Sequence, residues 1–304
     1  MAMTKTTLAP LLAAALQLAP ACDARADKPK QRGSASGKSA PAGQAASSAV
    51  ETKAEGVLKA QLAALRHWSD SKAIDATFSS AAAVLFPDGE RTFAEGWDAG
   101  PSIASLNPHS TLREATYDHF VASTTGQISW FATDLHFVIA NAEPGEGTTT
   151  DKHMVRAIEV LDPTADGKVI VAAFTSVGPL NASGSCMIRD STPAGPLVNL
   201  LASPGDAGNV LAGDAVVLGT DPAERGIAAE AKTLIGRWKT LNLTVDTAQH
   251  AREIHTPSFG YAMTNVKLAP KKAGGHAQAM SAFVLALPVG DHWSVVALSY
   301  GATF

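Results

Sequence analysis

The chain is 304 residues long, 46% hydrophobic, and carries 24 Lys and Arg against 28 Asp and Glu, a formal net charge of −4. That length sets a prior of two domains, and the apolar content is enough for real cores. The near-balanced charge excludes the basic excess of a nucleic-acid binder, and a cysteine content of only Cys22 and Cys186 excludes a disulfide framework. Cys186 reads as a lone thiol, a small core residue.

The first stretch reads as a targeting signal, not as part of a fold. Lys5 gives a positive start, and Leu8 to Ala21 is apolar and uncharged. This is shorter than the about 20 apolar residues that a membrane span needs, so residues 1–26 read as a secretory signal peptide. Two cleavage points compete. Ala24-Arg25-Ala26 follows the small-x-small rule, with cleavage before Asp27. Cleavage before Cys22 would instead leave a cysteine for lipid attachment. The stretch LAPAC resembles a bacterial lipoprotein box, although Ala19 stands where that box prefers a branched apolar residue. Both readings export the chain, to the periplasm or to the membrane of a cell envelope as a lipoprotein. Residues 27–50 are Lys, Ser, Ala, Gly and Pro with few large apolar side chains. Such a segment buries too little to offset its ordering entropy and reads as a disordered tether.

From Glu51 the texture changes. Leu58, Leu62, Leu65 and Trp68 recur at helical spacing, continued by SDSKAIDATFS. AAAVLF is a short strand, stopped by Pro87, Asp88 and Gly89. FAEGWDAGPSIASLN is broken helix. ATYDHFVAS, GQISWFATDLHFVIAN, HMVRAIEVLDP and KVIVAAFTSVG read as strands, with a hairpin turn at Asp162, Pro163, Asp166 and Gly167.

The second half writes the same order again. STPAGPLVNLLASPGDAGNVLA is broken helix, DAVVLGT a strand, DPAERG a turn and IAAEAKTLIGRWKTL a helix. LTVDTAQHAREI, FGYAMTNVKLAP, HAQAMSAFVLALP and HWSVVALSYGAT read as strands, the last two joined at Gly290 and Asp291. Residues 51–180 and 181–304 are therefore two copies of one domain. Helices grouped ahead of hairpin-linked strands argue for α+β, with helices against one face of a bent antiparallel sheet.

The stretches DAVVLGTDPAERG and AAVLFPDGERTFAEG, with ISWFATDL and the closing HWSVVALS, resemble the SnoaL-like group of the nuclear transport factor 2-like (ketosteroid isomerase-like) superfamily. The resemblance covers about residues 55–304 as a tandem duplication. It implies two cone-shaped domains, each a curved antiparallel sheet wrapped around N-terminal helices, with a cavity at the open end. Members include isomerases, cyclases, dehydratases and pure binding modules, so the fold does not name an activity. Members commonly dimerise through the sheet, which implies an internal pseudo-dimer and a monomeric chain here.

Strand residues alternate in facing. In ISWFATDLHFVIA one face carries Trp130, Asp134 and His136 and the other Phe131, Leu135, Phe137 and Ile139. A carboxylate beside an imidazole fixes its tautomer and builds a general base, so Asp134 and His136 are candidate catalytic residues and Trp130 a stacking platform. The same alternation also suits a solvent-facing sheet face with Trp130 covering a helix. Aligning VIAN with KLAP sets Phe259 opposite Trp130, Met263 opposite Asp134 and Asn265 opposite His136, so the polar pair belongs to the first copy alone. His153 and His276 begin equivalent strands, and His153 is a candidate ligand contact at a cavity mouth. Glu159 shares parity with His153, and Arg156 points the other way. The turns PDGER and TDPAER read as caps for the following helices.

The sequence carries no metal-ligand pattern, no nucleophile elbow and no phosphate loop. No cofactor or metal is called for. Tyr117, Tyr261 and Tyr300 do not match the Tyr and acid set of catalytic ketosteroid isomerases, and the closing strands lack the His of many SnoaL-like chains. The expectation is a non-catalytic module that binds an apolar small molecule or an envelope protein, not nucleic acid, and touches membrane only through a lipid anchor on Cys22. The alternative is a cofactor-independent isomerase, cyclase or hydrolase using His136 and Asp134.

Overall fold

The structure, a computed structural model, describes residues 43–67, 71–86, 89–96, 98, 110–143, 147–176, 195–238, 243–245, 251–268 and 278–302. The stretch read as a signal peptide, both cysteines, most of the stretch read as a tether, Trp68 and His276 lie outside the described residues.

The first half opens with α1 (Gly43–Arg66) and a short α2 (Ser71–Asp75). Helix α1 begins inside the stretch read as tether. That stretch lacks large apolar residues, but GQAASSAV is rich in good helix formers, and a helix once nucleated extends cheaply. Strands β1 (Phe78–Phe86), β2 (Gly89–Thr92), β3 (Ser110–Thr125), β4 (Ile128–Glu143), β5 (Gly147–Leu161) and β6 (Val169–Ser176) follow. They pair in the order β3-β4-β5-β6-β1-β2, antiparallel except for the parallel β6–β1 contact.

The second half repeats this. Helices α3 (Pro196–Ala202) and α4 (Pro204–Asn209) precede β7 (Leu211–Leu218) and β8 (Arg225–Ile227). Helix α5 (Ala229–Trp238) precedes β9 (Leu243–Val245), β10 (Ala251–His255), β11 (Gly260–Leu268), β12 (Gln278–Val289) and β13 (His292–Ala302). The stretch LTVDTAQHAREI, expected as one strand, is two, because β9 and β10 each pair with a different part of β11. The order is β10-β11-β12-β13-β7-β8, again with one parallel contact, β13–β7. The fold is α+β, with two sheets each preceded by helices.

Each sheet has two buried faces. The face toward its own helices carries Phe131, Leu135, Ala157, Leu161 and Ala172 against Ala54, Val57, Leu58 and Leu62 of α1. Those helix residues recur at three- and four-residue spacing, which is why α1 lies flat on the sheet. In the second half Ala262, Ala282, Val284 and Leu298 pack on Leu197, Leu201, Leu234 and Trp238. The opposite faces of the two sheets meet in one seam: Trp130, Ala132, Ile158 and Val160 pack with Tyr261, Met263, Phe283 and Leu285.

Strand register defines which residues are equivalent. Ala83 pairs with Val171 as Val216 pairs with Ala297. Carrying that step along the strands makes Ser176 the equivalent of Ala302, and among the described residues these two form the pair joining β6 to β13. A pair of equivalents at the junction is what a two-fold relation requires.

The register corrects the VIAN–KLAP alignment. It sets Trp130 against Tyr261, Asp134 against Asn265 and His136 against Lys267, two residues away from the VIAN–KLAP alignment. A slip of two preserves facing, so the two faces stay correctly sorted. The Glu-Arg pairs of the two turns are also not equivalent. Glu90 stands opposite Leu85 and Arg225 opposite Leu218, so Glu90 is the counterpart of Arg225.

Candidate functional site

The mixed face of β4 lies in the seam between the halves. Trp130 and Asp134 are both fully buried. Arg156 stands directly across from Asp134 on β5 and donates from Nε to its Oδ1 at 3.2 Å. Arg225 of the second half brings Nη1 to 3.2 Å from Oδ2, and His119 Nδ1 lies 3.0 Å from the same oxygen. A buried carboxylate flanked by two guanidiniums is compensated, whereas alone it would cost several kcal/mol.

The expected Asp134–His136 dyad does not form. His136 Nε2 lies 3.0 Å from Asp118 Oδ1 instead, at ion-pair distance but not aligned as a hydrogen bond. Same-face neighbours along a strand are roughly 6.6 Å apart, two rises of 3.3 Å, and a short Asp side chain turns more readily to a cross-strand partner. Trp130 and Asp134 on this face are buried, while the side chain of His136 is 38% exposed. The face is the contact with the other half, and Trp130 covers the opposing sheet, with Nε1 3.5 Å from Thr125 Oγ1.

Arg156 also answers why the chain carries a TDPAER turn. Its side chain is 1% exposed and crosses the seam. Nη1 donates to the carbonyl of Gly219, and Nη2 donates to those of Asp221 at 3.1 Å and Pro222 at 3.0 Å. The planar fork of Arg suits several acceptors at once. The acidic residues of the turn do not cap a helix. Asp221 Oδ1 accepts from the Ala223 backbone N–H at 2.8 Å, an Asx turn. In the first half Glu90 meets Arg252 Nε at 2.5 Å and accepts from the Tyr261 hydroxyl at 3.1 Å.

Asp118, His119 and Asp134 place three ligand atoms within 4.8 Å of one another. Both oxygens of Asp134 are already engaged by Arg156, Arg225 and His119. Two guanidiniums beside a divalent ion are unfavourable, and the group is an ion-pair network.

The helix-facing side of the first sheet holds a different group. Glu159 stands opposite Phe131 on β4 and Ala172 on β6, and is 1% exposed. Gln61 of α1 donates from Nε2 to its Oε2 at 2.8 Å. Burial pushes this carboxyl up to about 8, against the hydrogen bond from Gln61, so it is mostly protonated at neutral pH. A protonated carboxyl in an apolar setting can donate a hydrogen bond. Its cross-strand neighbours Phe131 and Ala172 belong to the apolar cluster that packs the sheet on α1. The counterpart of Glu159 in the second half is Val284, so that helix-facing surface is apolar at the matching position.

His153 lies on the same side as Glu159, opposite Phe137, and burial lowers its pKa. Six residues separate it from Glu159, roughly 20 Å along a strand, too far for one acid–base pair. Sequence reasoning found the shared parity of these two residues but passed over Glu159 itself. The available signal was a lone acid in the apolar run VRAIEVL, where a strand buried on both faces must neutralise or pair it.

No protein-family model matches the chain, and no curated protein matches it by sequence. Solved structures do match part of the chain. A ketosteroid isomerase-like protein from Erwinia carotovora atroseptica is 14% identical, with 42% of this chain and 96% of that one covered and a TM-score of 0.34. A nuclear transport factor 2-like superfamily protein from Salmonella enterica is 15% identical, with 45% and 97% covered and a TM-score of 0.35. An epoxide hydrolase of the LEH-like type from M. tuberculosis is 14% identical, with 40% and 77% covered and a TM-score of 0.31. Each spans a little under half of the chain. No activity passes to this chain on that ground, and the tandem arrangement rests on the repeated register.

Proposed function

We propose that the chain is an exported tandem binding module whose first half holds a small, largely apolar molecule. The second half acts as its structural brace. The observation that carries this reading is Glu159: a buried carboxyl on the helix-facing side of the first sheet, held by Gln61 and pushed toward its protonated form by burial, with Val284 at the same place in the second. Glu159 supplies one hydrogen-bonding group among apolar side chains, which suits a ligand with an apolar body and a single polar group that enters by displacing α1, whose Gln61 now holds that carboxyl.

Binding is favoured over turnover by where the acid–base groups lie. The Asp134 carboxylate is held in the seam by Arg156 and Arg225, and Glu159 and His153 are too far apart to act on one bond. Export as a periplasmic protein or a lipoprotein rests on the leader and on Cys22. Lipid attachment is tested by the mass of the mature N-terminus in the envelope fraction. A cytoplasmic, uncleaved chain overturns export.

The test of binding is a thermal-shift screen of neutral apolar compounds carrying one carbonyl or hydroxyl. The reading expects hits that weaken about ten-fold in Glu159→Leu and are unchanged in Val284→Ala. Hits indifferent to Glu159, or turnover of a hit that survives Glu159→Leu, overturn it.

A further inference from the structure

The cross-seam charges are reversed between the two halves. Glu90 of the first half meets Arg252 of the second, and Arg225, the second-half counterpart of Glu90, meets Asp134 of the first. The partners differ as well. The counterpart of Arg252 in the first half is Val121, and that of Asp134 in the second half is Asn265. Arg156, which fills the carbonyls of the 219–224 turn, corresponds to Ser281.

The two-fold relation allows the like-with-like seams to be read off by substitution. Two first halves would place Glu90 against Asp134, two carboxylates, and Glu90 would have Val121 in place of Arg252. Two second halves would place Arg225 against Arg252, two guanidiniums, and Arg225 would have Asn265 in place of Asp134. In the actual seam each of these charges has an opposite partner within 3.2 Å. Glu90 and Asp134 are 8% and 0% exposed at the side chain. Burying like charges together is strongly unfavourable, and a clash against the wrong partner is a recognised source of specificity.

We infer that each half recognises only the other: the sheet-to-sheet surface of this chain accepts a second-half surface on the first half and rejects its own kind. The duplicated surface has become a lock between unlike partners. It does not serve for symmetric pairing of a half with its twin.

The test uses the full chain in two ways. In a double-mutant cycle, Glu90→Arg and Arg252→Glu are made singly and together and unfolded in urea. Each single variant is expected to lower the folding equilibrium constant at least ten-fold, and the reversed pair to recover most of that loss. Additive losses in the double variant overturn the inference. In the second, a protease site is placed within residues 177–194, the folded protein is cut once, unfolded in urea and refolded by dilution, and native mass spectrometry counts the pairs. Only first-plus-second pairs are expected. First-plus-first or second-plus-second pairs in comparable amount overturn the inference, and if the cut halves fail to refold the cycle alone decides.

Discussion

Arg156 stands opposite Asp134 on the neighbouring strand, and its guanidinium continues past that carboxylate to the backbone carbonyls of a turn in the other half of the chain. One side chain thus joins the centre of the first sheet to the tip of a second-half hairpin. Arg156→Ala is expected to cost about 3–5 kcal/mol, since it strips a buried carboxylate of one partner and leaves several carbonyls without a donor. Arg156→Lys should recover little of this, because a single ammonium cannot serve several carbonyls in a plane. Urea denaturation measures both. A loss under about 1 kcal/mol for the alanine variant would show that the turn is held by other contacts.

Glu159 makes stability depend on pH in a direction opposite to that of most carboxylates. Its pKa rises from an ordinary 4.5 to about 8 on folding. The protonated form is therefore favoured in the folded state. That contribution is fully present below about pH 4.5 and is lost as pH rises through 8. Wild-type protein should lose stability across this window, by an amount on the order of a few kcal/mol, and Glu159→Gln should show a flatter profile with the Gln61 contact retained. Equal pH profiles for the two proteins would mean that Glu159 is ionised when folded.

Helix α3 is capped from a distance. Glu253 of β10 accepts from the backbone N–H of Leu197 at 3.2 Å and of Val198 at 2.9 Å, which satisfies two of the donors a helix start leaves open. Its Oε1 also lies 2.6 Å from His255 Nε2. Glu253→Ala is expected to destabilise by about 1–2 kcal/mol. Gly195→Ala should cost up to the same amount, because the added methyl would displace the Glu253 carboxylate from its cap position. Chemical denaturation of the two variants and their combination checks this, and additive losses would argue against a shared cause.

The sequence made the two faces of β4 legible but not what covers each. Alternation separates Trp130 and Asp134 from Phe131 and Leu135 without fault. A strand period cannot say whether a mixed face meets solvent, ligand or another sheet, and here the seam partners are distant in sequence: Gly219 for Arg156 and Arg225 for Asp134. The repeat was readable in element order. Its register was not, because the two hairpins differ in length: β1 and β2 are separated by residues 87–88, and β7 and β8 by residues 219–224. Similar words, PDGER and TDPAER, therefore fall at different places in the pairing. Glu159 was hidden by its surroundings, since an acid that becomes neutral on burial leaves no partner charge in the sequence to announce it.

On the binding reading, the first half holds a ligand at Glu159 and the second does not. This is tested most directly by native mass spectrometry of the gently purified full chain, wild type beside Glu159→Leu and Val284→Glu. One retained small molecule per chain is expected in the wild type and in Val284→Glu, and its loss in Glu159→Leu. A wild-type mass equal to that of the bare polypeptide after supply of the compounds found in the thermal-shift screen, or a bound molecule indifferent to Glu159→Leu, would contradict it.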